Sequence, residues 1–235
     1  VIYLESEDCI SDFDRHLVDI FLSNVGNAFD NLSLNHEIED TQKEIIYTIG
    51  EMIERRSLET SYHVKRVSEV ARILALKLGL SEAESRVIAM AAPMHDVGKL
   101  GIPDSILHKP GKLDDDEISL MQTHSATGYE ILNKSSRTIL RAAAEIAWAH
   151  HEKWNGEGYP QKLKGTEIPI YARIVAVADV FDSLLSRRCY KDCWDHDQVR
   201  NFFMQERGRH FDPAIADVLL DNFDEFMAFR KLISS

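Results

Sequence analysis

Between Cys9 and Arg56, apolar residues recur at intervals of three and four: Leu17, Ile20, Phe21, Val25, Ala28, Phe29 and Leu32, then Ile38, Ile45, Ile49, Met52 and Ile53. That period predicts helix with an apolar stripe, and acidic residues fill many of the other positions. A stripe without a core of its own packs on a partner helix, serves as a signalling linker, or packs on the surface of its own domain. From Tyr62, the positions Val64, Val67, Ala71, Leu74 and Leu78 make a second helical face, ended by Gly79 as a C-terminal cap. Ser81 with Glu84 predicts a capping box opening a helix that runs to His95, kinked where Pro93 removes a backbone donor. Asp114 with Glu117 opens another helix through His124 to about Leu132, and an alanine-rich helix from Thr138 to His151 follows. The spacing of Ile170, Ile174, Val177, Phe181 and Leu184 favours helix over buried strand, and Asp212 with Pro213 starts a last helix. No segment alternates with the period of a half-buried strand. The expected class is all-α, divided into an N-terminal helical segment over 1–56 and a domain over 57–235.

Composition narrows the functions available. The formal net charge of -12 argues against a DNA or RNA polymer as partner, because non-specific affinity for nucleic acid comes from Lys and Arg neutralising phosphates. A small anion remains compatible, held by metals or a few placed cations. No stretch reaches the ~18 apolar residues of a membrane span, so no membrane insertion is expected of this piece. The chain opens on Val1 and reads as part of a longer protein with an upstream sensor or receiver domain. Cys9, Cys189 and Cys193 are too few and too irregular for a disulfide framework, which favours a reducing, cytoplasmic setting. The CxxxC spacing of Cys189 and Cys193 is read as packing rather than as a metal site.

Glycines and prolines gather in two loops, Gly98 to Gly111 and Gly156 to Pro169, each directly after a cluster of histidine and aspartate. Candidate ligands fall at or near helix ends: His63, His95, Asp96, His124, His150, His151 and Asp179. Neighbours on a helix point about 100° apart, so the pairs His95-Asp96 and His150-His151 suit a multinuclear site better than one ion. A carboxylate such as Asp96 can bridge two cations roughly 3.5–4 Å apart. Mixed imidazole and carboxylate donors fit Fe, Mn, Zn or Ni rather than Mg or Ca. Singly, each histidine reads as a cap or a satisfied polar group; together they point to metal.

The run His95-Asp96-Val97-Gly98-Lys99 resembles the HD superfamily signature. The run His150-His151-Glu152-Lys153-Trp154-Asn155-Gly156-Glu157-Gly158-Tyr159-Pro160 resembles the motif of the HD-GYP subfamily. Agreement extends from about Ser57 to Leu220, through Gly101 to Asp104, Lys109 to Gly111, His124 before Gly128, Ile168-Pro169 and Arg173 to Asp182. The resemblance implies an all-helical HD domain that hydrolyses cyclic di-GMP, or the related cyclic GMP-AMP, at a centre of two or three divalent ions, most readily Fe or Mn. It implies His95, Asp96, His124, His150, His151 and Asp179 as ligands, with Asp96 bridging. Glu59 and His63 stand one helical turn apart and can face the same cluster. In members with that glutamate a third ion is expected. Lys99 resembles the lysine near the scissile phosphate, Arg188 and Lys191 the phosphate-contacting block, and Tyr159 the loop bordering the base. Asn155, Cys189, Leu185 and Pro93 depart from the family pattern, which bears on substrate preference and loop geometry.

The implied reaction is in-line attack of activated water on phosphorus, with Asp96 and Lys99 at the reacting centre, giving a linear dinucleotide and, with a second cut, mononucleotides. Two other readings stay open. One is an HD hydrolase of nucleoside triphosphates or guanosine polyphosphates; the other is a weakly catalytic sensor signalling through the N-terminal helix. That helix is also expected to carry homodimerisation.

Overall fold

The computed structural model describes residues 11–57, 62–186 and 193–233. Helices are α1 (Asp12–Arg56), α2 (His63–Lys77), α3 (Glu82–Ala91), α4 (Asp104–Leu107), α5 (Asp115–Leu132), α6 (Thr138–Ala149), α7 (Ile170–Leu185), α8 (His196–Glu206), α9 (Pro213–Asp221) and α10 (Phe223–Ile233). Among the described residues there is no strand, only an isolated bridge between Arg207 and Phe211. The class is all-α, as the periodicity predicts. No helix among them is long and apolar enough to cross a membrane.

The chain divides into two compact units, Val1–Ile45 and Ile46–Ser235, and the division falls inside α1. In the first unit, Ser11 caps the helix by exchanging hydrogen bonds with Asp14, and Phe13, Leu17, Phe21, Phe29, Leu32 and Ile38 are exposed. The sequence reading put a boundary after Arg56. The last turns of α1 instead belong to the second unit, because Tyr47, Gly50, Ile53 and Glu54 are buried there.

In that unit α2 packs against α3 and α7, while α6 packs against α3, α5 and α7. Val67, Val70 and Leu74 of α2, Ile146 and Ala147 of α6, and Ile174, Val177 and Phe181 of α7 fill one core with Phe203, Phe211, Ile215 and Phe226. Each large side chain so buried contributes about 1.5–3 kcal/mol. The capping boxes at Ser81/Glu84 and Asp114/Glu117 form as expected, and Gly79 ends α2 at φ +84°. Three expectations are corrected. Pro93 does not kink a helix reaching His95: α3 stops at Ala91 and Ala92–Met94 tightens into a 3-10 turn. α6 ends at Ala149, with His150 as its cap. The helix begun at Pro213 is not the last, since α10 follows Asn222.

Candidate metal centre

Five segments bring the predicted ligands together. His63 opens α2, His95 and Asp96 lie between the 3-10 turns Ala92–Met94 and Val97–Gly101, His124 lies within α5, His150 and His151 close α6, and Asp179 lies in α7. Asp96, His124, His150 and His151 each present one ligand atom within 4.8 Å of the others, and Glu54, His63 and His95 form a second such group. The groups adjoin, since His95 Nε2 lies 3.3 Å from Asp96 Oδ2. Asp179 Oδ1 lies 3.3 Å from His63 Nε2.

The rings are held from behind. His95 Nδ1 is 2.9 Å from the Ala92 carbonyl, His124 Nδ1 is 2.8 Å from Met121 O, and His150 Nδ1 is 3.0 Å from Ile146 O. A carbonyl only accepts, so each Nδ1 carries a proton, and in the neutral ring Nε2 turns its lone pair inward. Those lone pairs meet carboxylate oxygens: His124 and His150 Nε2 lie 3.2 and 3.6 Å from Asp96 Oδ1. Yet Asp96 Oδ1 and His95 Nε2, both buried, have no hydrogen-bond partner. Acceptors converging without a donor are repulsive unless a cation lies among them, so the donor set fits divalent metal.

Titration behaviour follows the same field. Burial pulls His95 down, but Asp96, with Asp179 and Glu54 behind it, holds it at about 9. Burial opposes ionisation of Asp96, and Lys99 and His95 keep it well below the usual carboxylate range. Burial, with His150 and His124 adding to it, holds His151 well below an ordinary imidazole, the neutral form a metal requires. His63 is bound through Nδ1 to Asp182 Oδ2 at 2.8 Å, and Asp182 also accepts from Arg66 and Arg230.

The loops are built against this cluster. A Cβ on Gly98 would lie 1.8 Å from the His124 carbonyl oxygen, so only glycine lets the His-Asp segment lie on α5. Buried Glu152 accepts from the backbone N–H of Gln161 at 2.6 Å and of Leu163 at 3.0 Å, and so folds the glycine-rich loop. A Cβ on Gly158 would meet Lys153 N at 2.3 Å. Tyr159 stacks on His151 with ring centroids 4.7 Å apart, and Lys99 Nζ is 2.6 Å from Asp96 Oδ2. Glu59, Arg188, Cys189 and Lys191 lie outside the described residues. Cys193 is exposed, not packed, and free of a disulfide.

Sequence reasoning passed over Glu54, Asp182 and Glu152. Asp182 could have been found from its place one turn after Asp179 on one helix. Glu54 had no comparable signal, because α1 ends between it and His63.

His124 and Asp179 lie in mid-helix rather than at the helix ends expected for them. A helical bundle whose imidazoles and carboxylates converge from helix ends, turns and the middles of two helices defines a metal-binding helical domain. Residues 47–215 match the HD domain family model, and the chain belongs to that family, with the motif of its HD-GYP type. Residues 1–38 match a domain of unknown function, DUF3369. The chain is 48% identical over 230 residues to the 3'3'-cGAMP-specific phosphodiesterase 2 of Vibrio cholerae, covering 98% of this chain and 44% of that protein. It is 48% identical over 189 residues to the cyclic di-GMP phosphodiesterase response regulator RpfG of Xanthomonas campestris pv. campestris, covering 80% and 50%. The chain thus spans about half the length of the curated relatives it matches. Its fold is similar to a crystal structure of a V. cholerae cyclic GMP-AMP phosphodiesterase (V-cGAP3), with a TM-score of 0.61 at 18% identity, covering 82% of this chain and 53% of that one.

Proposed function

We propose that the chain is the catalytic part of a metal-dependent phosphodiesterase that hydrolyses a cyclic dinucleotide, cyclic di-GMP or 3',3'-cyclic GMP-AMP, to the linear dinucleotide. The observation carrying this reading is the convergence of Nε2 lone pairs and carboxylate oxygens around Asp96, bordered by the loop of Tyr159. The names of the 48% identical relatives support the substrate class. Both relatives are cyclic dinucleotide phosphodiesterases, which favours this over nucleoside triphosphate hydrolysis or a sensor role.

His63, His95, Asp96, His124, His150, His151 and Asp179, with Glu59, would hold two or three divalent ions; the mixed N and O donors favour Fe or Mn, with Ni or Zn as substitutes. Such ions, when bound, supply Lewis-acid charge and ease the ionisation of water near neutral pH. The protein's own part is placement. Backbone carbonyls fix the imidazole tautomers, Asp182 fixes His63, and Lys99 sets an ammonium beside Asp96, where negative charge on phosphoryl oxygens develops. Tyr159 offers a ring edge to a base, while Arg188 and Lys191 supply phosphate contacts. The exposed apolar side chains of α1 support its role as a linker and a dimer contact, and the greater length of the relatives supports an upstream sensor or receiver domain. The reducing cytoplasm suits the scarcity of cysteine.

The test is incubation of iron- or manganese-loaded protein with cyclic di-GMP and each cyclic GMP-AMP isomer, products being resolved by chromatography. A linear dinucleotide from one of them is expected. Turnover of nucleoside triphosphates instead, or of nothing, would overturn the reading. Sedimentation of the full chain against residues 46–235 tests the dimer contact, which is expected to be lost with the helix.

A further inference from the structure

The loop from Gly98 to Gly111 is tied at several points to Arg56, the last residue of α1. The Arg56 guanidinium donates through Nη1 to the Lys99 carbonyl and through Nη2 to the Ile102 carbonyl, both at 2.7 Å, and Nη2 also lies 2.8 Å from Asp104 Oδ1. Further along the loop, His108 Nε2 donates to the Arg56 carbonyl, one of the last in its helix. The end of α1 is itself fixed. Tyr47 Oη and Ser68 Oγ are 2.6 Å apart, a Cβ on Gly50 would lie 2.7 Å from the Pro93 carbonyl oxygen, and Ile53 is buried in the core.

What these bonds hold is the stretch that carries Lys99. Val97, Gly98 and Ile102 are buried, but Leu100 is 54% exposed, so packing sets the two ends of this stretch and hydrogen bonds set its middle. A guanidinium presents its donors in a rigid planar fork, so bonding two carbonyls three residues apart fixes both their spacing and their direction; a lysine ammonium, a point donor, does not. The backbone so held aims Lys99 Nζ at Asp96 Oδ2, 2.6 Å away. The Asp104 contact adds little, since that carboxylate is 69% exposed.

Taking Lys99 as the cation at the scissile phosphate, as in the function proposed above, we infer that Arg56 is a positioning residue for the reaction: it fixes the Lys99 backbone so that the ammonium stands beside Asp96. Whatever displaces the last turn of α1 then displaces Lys99 with it.

Manganese-loaded wild type, Arg56→Ala, Arg56→Lys and Arg55→Ala, all as the full chain, are assayed with the cyclic dinucleotide that the wild type turns over, and metal content is measured on the same samples. Arg55, exposed on the same helical turn, is the control and should keep wild-type kcat. For Arg56→Ala, kcat should fall by about 10- to 100-fold with KM and metal content near wild type, the pattern of a transition-state group misplaced by about 1 Å. Arg56→Lys should recover little of that loss. Guanidinium ion, added far below denaturing concentration, should restore part of kcat in Arg56→Ala, because the side chain it replaces is 30% exposed; sodium chloride at the same ionic strength should not. Wild-type kcat in Arg56→Ala overturns the inference. So does a loss that follows loss of metal or that guanidinium leaves unrescued, for Arg56 then serves only the fold. If Arg56→Ala does not fold, Arg56→Lys decides by the same split between kcat and KM. A wild-type chain that hydrolyses no cyclic dinucleotide sinks the proposed function together with the inference. Turnover that ignores residue 56 sinks the inference alone.

Discussion

Replacing Gly98 by alanine tests whether the His-Asp segment must touch α5 for the site to exist. The added Cβ would lie 1.8 Å from the His124 carbonyl oxygen and 2.6 Å from Gly128 N, both backbone atoms that no rotamer change can move. Restoring ordinary contact requires the segments to part by about 1.5 Å. The same movement would carry Asp96 away from His124, whose Nε2 stands 3.2 Å from Asp96 Oδ1. Overpacking typically costs about 1–3 kcal/mol, and a clash between two backbones belongs at or above the upper end. At about 3 kcal/mol, a unit of this size should melt roughly 6–12 °C lower. Gly101→Ala is the control in the same 3-10 turn. Its nearest neighbour is the Thr127 methyl at 3.2 Å, a side chain that can give way, so a loss under about 1 kcal/mol is expected. The assay is thermal unfolding by circular dichroism together with metal content after loading. If Gly98→Ala melts within about 2 °C of the wild type and keeps its metal, the contact does not position Asp96 and the reasoning fails.

Glu152→Ala strands two backbone N–H groups that its buried carboxylate now satisfies, which should cost about 1–3 kcal/mol each and loosen the Tyr159 loop; denaturant titration and dinucleotide affinity measure both effects. Arg188→Ala and Lys191→Ala should leave metal content unchanged and reduce kcat/KM by about 10- to 150-fold, the size of a lost charge-assisted hydrogen bond; wild-type kinetics in both would remove them from the substrate site. His210 is held at about 4 by burial, with Lys153 adding to it, against 6.5 for a free imidazole. Its unfolded form therefore binds more protons between those values, so stability is full above pH 6.5 and falls as pH drops toward 4. The loss is at most about 3 kcal/mol, and His210→Gln should flatten that slope in pH-dependent melts.

The helices were legible wherever sequence carries their physics. The capping boxes at Ser81/Glu84 and Asp114/Glu117, the cap at Gly79 and the Asp212-Pro213 start all stand where local chemistry puts them. α8 was passed over although Asp195 and Gln198 form the same kind of box, because its apolar positions are sparse. His95, Asp96, His150 and His151 were legible through the two motifs, and His63, His124 and Asp179 as further candidate ligands along the chain. Glu54 was not, for periodicity ranks a glutamate on an acidic helix as solvated and cannot tell that the last turns of that helix are buried. Asp182 and Glu152 act by holding other groups, and such roles depend on contacts across more than a hundred residues or around a loop that no spacing rule encodes.

A histidine at a helix end has a plain structural explanation, because the last carbonyls of a helix lack partners and a ring N–H can satisfy them. The structure makes that explanation and the metal reading two halves of one arrangement. His150 Nδ1 reaches Ile146 O and Ala147 O at the end of α6, and His95 Nδ1 reaches Ala92 O at the turn before Asp96. Each bond satisfies an acceptor, and each also fixes a proton on Nδ1, so in the neutral ring Nε2 can only accept. An imidazole free to choose its tautomer would turn an N–H toward Asp96 and close the cluster with hydrogen bonds. Held by the backbone, it cannot, and Asp96 Oδ1 and His95 Nε2 are left buried without donors. The helix ends therefore hold the site in a state that only a cation or extra protons satisfy, which is why His95 is drawn up to about 9 by Asp96 despite its burial. Metal uptake must displace that proton, so affinity measured by titration at several pH values should strengthen as pH rises through this range.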